Sequence, residues 1–191
     1  MSATRFLRQF IRQPTSVGAI TPSGPALVRM MVDSFDWPNI RHVAEYGPGT
    51  GVFTEAIVRT LPGDATFFAI EQSPDLAAIT RERCPEVTVH CDRVVNVEAL
   101  CQTHDIGSLD AIICGLPWAA FSDALQSDIM SAMLRVLRPG GTFATFAYLQ
   151  GVPLPAGRRF ARRLDQSFRK VSKSPVVWRN LPPAFVYRCV H

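Results

Sequence analysis

No apolar run in the 191 residues reaches the ~18 that a membrane-spanning helix requires. The first residues lack the apolar core of a secretory leader, so a cytoplasmic location is expected. The five cysteines (Cys84, Cys91, Cys101, Cys114 and Cys189) are odd in number and contain no C-x-x-C pair. That argues against a disulfide framework and against a zinc site. Four scattered histidines show no ligand spacing, and no metal is expected. There is no G-x-x-x-x-G-K-[ST], which excludes a phosphate loop of the ATPase kind. No internal repeat or low-complexity tract occurs. Acid is scarce in two places. Residues 1–12 hold three arginines and no acid, and residues 158–179 hold eight basic residues and a single acid, Asp165. Residues 13–157 hold eight basic and fifteen acidic residues. A net charge of +4 therefore hides an acidic middle between basic flanks. The asymmetry points to an anionic partner, nucleic acid or a membrane surface, or else to a solvated basic face.

What is present fits one domain, with 47% hydrophobic residues. Apolar runs alternate with helical patterns, as in a parallel sheet built from βαβ units. HVAEY, TFFAIE, VTVHC, LDAIICG and TFATFAYL read as five strands in turn. VFTEAIVRTL reads as the helix after the first. Ser73-Pro74 caps and opens a helix through Arg83, and Asp123 to Leu137 is a long helix ended by RPGG. PVVWRNLPPAFVYRCV reads as two final strands joined through Leu181-Pro182-Pro183. A helix is expected from about Pro25 to Phe35.

The first strand runs into VAEYGPGTGVF, where Gly47, Gly49 and Gly51 alternate with Pro48 and Thr50. Glycine in such a turn lets backbone approach a ligand, and the helix that follows brings free N–H groups. The spacing G-x-G-x-G differs from the dinucleotide fingerprint G-x-G-x-x-G. Glu45 at the mouth of the turn would repel a pyrophosphate and suit an ammonium or sulfonium charge. Glu71, ending the second strand, can accept from both hydroxyls of a ribose. Asp92, past the third strand, is placed to accept from an adenine amino group, or simply to cap a helix. A cationic amino-acid end, a ribose and an adenine together describe S-adenosylmethionine.

EYGPGTG, Glu71, Asp92 and LRPGG resemble class I S-adenosylmethionine-dependent methyltransferases, over roughly residues 41–149. The resemblance implies a Rossmann-like, doubly wound α/β sheet of seven strands, mostly parallel, with an antiparallel C-terminal hairpin. It places the donor at the switch point of the sheet, at the carboxyl ends of the strands. Gln72 and Arg93, next to the two later acids, join the cofactor-binding set, although Arg93 replaces a small residue common there. VGAITPSGPAL, CGLPWAAF and NLPPAFVY, with the amphipathic start, resemble the narrower family of bacterial phospholipid N-methyltransferases acting on phosphatidylethanolamine. Gly24 stands where a second serine is usual, and Cys114 where serine is often found.

That likeness implies transfer of methyl groups to a phospholipid amine at an anionic membrane. The sequence supports it separately. Within residues 4–13, Phe6, Leu7, Phe10 and Ile11 fall in an arc of roughly 140° at 3.6 residues per turn, with Arg5, Arg8 and Arg12 opposite. This is the pattern of a helix lying on anionic lipid, or of one docking its apolar face on the core. Arg158, Arg159, Arg162 and Arg163 would add a second contact, ~1 kcal/mol per near-surface cation. Residues 1–22 are thus an amphipathic helix and lid, and 23–191 the catalytic core. Gly115 and Leu116 offer backbone carbonyls to the donor's amino group or to the substrate nitrogen. Trp118 faces the cationic nitrogen or serves as core or lid. Tyr148 is a proton acceptor, an orienter or packing. Ile20, Thr21 and Pro22 would lie near the methyl group, and Asn180 orients a headgroup or bonds within the hairpin.

Three alternatives stand. One is methylation of another amine lipid, such as an ornithine lipid. The second is an rRNA adenine N6-dimethyltransferase. Those enzymes usually carry Asn where Gly115 stands and an added C-terminal helical domain. The third is a donor-binding module without activity.

Overall fold

The computed structural model describes residues 23–191. The expected helix over residues 4–13 and the lid carrying Ile20, Thr21 and Pro22 lie outside the described residues. Among those described, seven strands form one sheet: β1 (His42–Tyr46), β2 (Thr66–Glu71), β3 (Thr88–Cys91), β4 (Leu109–Cys114), β5 (Leu137–Tyr148), β6 (Lys170–Lys173) and β7 (Ala184–Val190). The order is β3-β2-β1-β4-β5-β7-β6. Strands β1 to β5 pair in parallel, and β7 runs antiparallel to both β5 and β6. The chain order reverses between β1 and β4, which opens a crevice at the carboxyl ends of the strands.

Both faces of the sheet are covered, which explains the nearly unbroken apolar character of β4. Helices α1 (Pro25–Val32) and α2 (Val52–Val58) lie on one face, over Val43, Ala111 and Ile113. The other face buries Ala44, Tyr46, Ile112 and Phe143 under α4 (Val97–Thr103), α5 (Asp123–Val136) and α6 (Pro155–Ser167). Helix α3 (Pro74–Arg83) begins at Ser73, whose hydroxyl accepts from Leu76 N, with Pro74 at the first helical position.

Two expectations need correction. The sixth strand is Lys170–Lys173 rather than PVVWRN, where Val177 makes only an isolated bridge to Ala184. The basic stretch is helix α6, which buries Phe160 and Leu164 four residues apart, with Phe168 just beyond its end. The arginines between them mask that apolar stripe. The RPGG segment counts within β5, where the register jumps from Leu109↔Leu137 to Ala111↔Thr142.

At the opposite end of the sheet Asp110 ties three strands together. Its Oδ2 accepts from the backbone N–H of Arg41 and of His42, each at 2.8 Å, and Oδ1 pairs with Arg138. Burial pushes its carboxyl upward, but the Arg138 hydrogen bond and the two N–H groups outweigh this and hold it below the usual range. Asp110→Ala is expected to cost ~2 kcal/mol in denaturant unfolding at pH 7. A depressed folded pKa gives stability that is present above the unfolded value and lost as pH falls through the folded one. The wild-type advantage should therefore shrink in acid. Equal unfolding midpoints for the two proteins at pH 7 would contradict this.

Candidate active site

Strand β1 ends in a turn whose glycines Gly47, Gly49 and Gly51 have φ of +69°, +62° and +77°. Space explains two positions beyond φ. A Cβ on Gly115 would lie 2.6 Å from the Gly47 carbonyl oxygen, and one on Gly47 would lie 2.7 Å from Leu116 Cδ2. The ends of β1 and β4 thus touch backbone to backbone, and Gly115 N–H donates to Tyr46 O at 2.8 Å. No side chain, an asparagine least of all, fits at 115 in this backbone. Gly49 is the opposite case. Nothing lies within 4 Å of its ideal Cβ, so its open side is free for a ligand.

Glu71, at the end of β2, pins that turn. Its Oε2 accepts from Gly49 N–H at 3.2 Å and Oε1 from Ser73 N–H at 2.9 Å. Each oxygen keeps a second lone pair, enough to accept a pair of hydroxyls. Burial raises its pKa, opposed by the backbone N–H groups. From α3, Thr80 Oγ1 donates to Gly49 O at 2.9 Å and Arg83 Nη1 to Thr50 O at 2.7 Å.

Above the turn lies a cavity of about 490 Å³, within the range of small-molecule sites. It runs from the β2 end, with Glu71, Gln72 and Arg93, across Gly47, Pro48, Gly49, Thr50 and Gly115 to Leu116, Trp118 and Tyr148 at the β4 and β5 ends. Sequence reasoning missed its far wall. Phe121, Leu154 and Phe160 belong to it, and so does Gln150. The spacing of Phe160 and Leu164 was the available signal for that wall.

Several expected site residues stand elsewhere. Glu45 does not line the cavity. It is 1% exposed beneath the turn, with Oε2 accepting from Thr54 Oγ1 at 2.6 Å and Oε1 unpartnered. Burial pushes its carboxyl up to about 8, against the Thr54 hydrogen bond and with help from Glu71. Burial beneath the turn thus favours its protonated form. Asp92 is also off the cavity. Its Oδ1 accepts from Arg93 N–H at 2.6 Å and from the Asn96 side chain, Nδ2, at 2.8 Å, bonds local to the loop after β3. Asn180 spends its amide on structure, accepting from Gly24 N–H at 3.0 Å and donating to Pro182 O at 2.7 Å. These bonds and its burial favour the structural reading, bonding within the hairpin, over orientation of a headgroup. Trp118 is 3% exposed, with one face stacked on Phe160 at 4.3 Å, so it serves as wall more than as an open cation–π face. Leu116 O accepts from Trp118 N–H at 3.0 Å. Tyr148 lines the cavity, but burial raises its pKa, which keeps the phenol protonated and unsuited to act as a base. In α6, Arg159 and Arg163 face Asp123 at 3.7 and 2.7 Å, while Arg158 and Arg162 are exposed.

The open side of Gly49, the lone pairs of Glu71 and the apolar walls fit an adenosine carrying a cationic sulfur. Among the described residues, Arg93 is the one charged donor that lines the cavity, and no lysine lines it to neutralise a pyrophosphate. The family described as Methyltransferase domain matches residues 43–141. The chain is 33% identical over 187 residues to an ornithine lipid N-methyltransferase of Singulisphaera acidiphila, covering 96% of this chain and 93% of the relative. Among solved structures it resembles an O-methyltransferase from Bacillus cereus in complex with SAH, with a TM-score of 0.71, 14% identity and coverage of 100% and 92% of the two chains. It also resembles the O-methyltransferase TomG from Streptomyces achromogenes in complex with SAM, with a TM-score of 0.67, 16% identity and coverage of 100% and 91%. The last two likenesses establish the fold.

Glu71→Ala is expected to raise the dissociation constant for S-adenosylmethionine at least tenfold, ~1.4 kcal/mol, by calorimetry. An unchanged constant would remove Glu71 from the site. Glu45 gives a pH signature. Its folded pKa lies above the ordinary 4.5, so the stability it contributes is present below that value and lost as pH rises through about 8. Thermal unfolding of wild type should therefore weaken from pH 5 to 9, and Glu45→Gln should flatten that decline. Parallel profiles would contradict a buried neutral acid.

Proposed function

The chain belongs to the methyltransferase-domain family, and on that premise we propose that it is an S-adenosylmethionine-dependent N-methyltransferase acting on the amine headgroup of a membrane lipid. The observation that carries the lipid reading is the shape of the cavity. It begins at the glycine turn and ends at Leu154, 48% exposed, which immediately precedes the arginine-rich helix α6. An apolar channel opening beside cations suits an anionic surface and a substrate with a greasy body. The ornithine lipid N-methyltransferase relative supports an amine lipid as acceptor, and ornithine lipid is tested beside phosphatidylethanolamine. Gly115, closed to any side chain, speaks against the adenine reading.

S-Adenosylmethionine, when bound, supplies an electrophilic methyl group. The chain's own residues do the rest. Gly49 and Glu71 hold the nucleoside end. The stacked Trp118 and Phe160, with Phe121, remove water from the acceptor half. A free alkylamine has a pKa of roughly 10 and arrives charged. Burial against apolar walls disfavours the charged form, so the ammonium gives its proton to water at the cavity mouth and enters as the neutral amine with its lone pair free. Gly115, which lines the cavity between the two halves, offers its carbonyl to orient an N–H. Tyr148, kept protonated, orients through its hydroxyl. The amphipathic pattern of residues 4–13 and the exposed Arg158 and Arg162 bring the cavity to the bilayer.

The test is transfer of labelled methyl by the purified full chain to ornithine lipid, phosphatidylethanolamine and structured RNA. Label is expected in an amine lipid, with kcat/KM rising with pH toward the amine pKa. Label in RNA, or in none of these lipids, would contradict the proposal.

A further inference from the structure

Among the described residues four large apolar side chains are strongly exposed: Ile79, Leu154, Trp178 and Leu181. Three of them lie at the edge of the sheet that carries the cavity. Leu154 lines it. Trp178 and Leu181, 70% and 67% exposed, stand in the connection between β6 and β7, residues 174–183. Two hydrogen bonds fasten that connection to the rim. Gly24 N–H donates to Asn180 Oδ1 at 3.0 Å, beside Ser23 of the lining. Leu149 N–H donates to Pro183 O at 2.9 Å, between the lining residues Tyr148 and Gln150.

The connection is braced from within. Val177 N–H donates to Ala184 O at 2.7 Å, Asn180 N–H to Val177 O at 3.2 Å, and Asn180 Nδ2 to Pro182 O at 2.7 Å. Val177 is buried while its neighbour Trp178 points out. An indole and a leucine held outward on a braced loop remain in water at a cost that a second phase would remove. The charge around them identifies that phase. Residues 151–191 hold nine basic residues and one acid, Asp165. Arg179 stands between the two apolar side chains. Among the described residues, no carboxylate lies within ion-pair distance of Arg158, Arg162 or Arg179.

We propose that the β6–β7 connection is a membrane-insertion loop, which seats Trp178 and Leu181 in the headgroup region of an anionic bilayer and holds the cavity mouth against it. Tryptophan suits that depth, with an apolar body and a polar N–H. The inference rests on the lipid reading of the same site and adds a third anchor, distinct from residues 4–13 and from α6.

The molecule carries its own reporter. Trp37 and Trp118 are 8% and 3% exposed, so Trp178 is the tryptophan whose surroundings a surface can change. The full chain is mixed with phosphatidylcholine vesicles, with and without phosphatidylglycerol and free of any amine acceptor beyond choline. The expected result is a blue shift and loss of acrylamide quenching with the anionic vesicles, absent in Trp178→Phe. Trp178→Ser with Leu181→Ser should weaken vesicle binding at least tenfold in sedimentation. It should leave methyl transfer to a short-chain, monomeric amine lipid unchanged, which also reports that the variant folds. Vesicle binding with unaltered emission would overturn the proposal, as would wild-type binding by the double variant. Emission already shielded without vesicles would overturn it too, by placing residues 1–22 over the loop. If the emission shifts but no lipid amine accepts a methyl group, the substrate reading fails and the insertion loop stands.

Discussion

The site depends on one carboxylate gripping two backbone N–H groups. Glu71 holds Gly49 of the first βα turn and Ser73 of the second. Hydrogen bonds to a charged acceptor are worth about 1.5–3 kcal/mol each. The grip matters less for stability than for aim. With Thr80 and Arg83 holding the turn from α3, the open side of Gly49 faces the cavity and does not collapse onto it. Preorganised backbone costs nothing to arrange when a ligand arrives. The contact of Gly115 with Gly47 extends the same rigidity across the switch point, from the strand that begins the site to the strand that ends it.

The acceptor half is built differently, from packed rings. Trp118 stacks on Phe160 and meets Phe121 and Phe143 edge to face. Gln126, fully buried in α5, donates to Trp118 O at 2.8 Å and to Ala156 O at 3.1 Å, so one amide joins the wall after β4 to the start of α6. Gly157 of α6 lies so close to Gly151 that a Cβ would stand 2.1 Å from its carbonyl oxygen. The helix that carries the exposed arginines is thereby fixed to the cavity rim.

Much of this was readable in the sequence where the signals are local. His42–Tyr46 and Thr66–Glu71 are strands, and Pro74–Arg83 a helix, with the bounds that alternation and the Ser-Pro cap suggest. The glycine turn and the position of Glu71 followed from the same reasoning. What the spacing does not carry is depth. Glu45 and Asp92 have the right spacing for a site, but spacing does not say that one lies under the turn against Thr54 and the other bonds to the Asn96 side chain. Asn180 was ambiguous for the same reason, since its partner Gly24 is 156 residues away in sequence. Helix α6 hid because its arginines outnumber its buried residues, and β6, KVSK, has the polar composition of an edge strand with only one neighbour.

The most direct test is a crystal structure of the full chain with S-adenosylhomocysteine. The predicted result is density against the open side of Gly49, with the ribose hydroxyls within hydrogen-bond distance of Glu71 and its backbone bonds intact. A nucleoside bound away from Gly49, or a Glu71 carboxylate that touches no part of it, would contradict the assignment of this cavity.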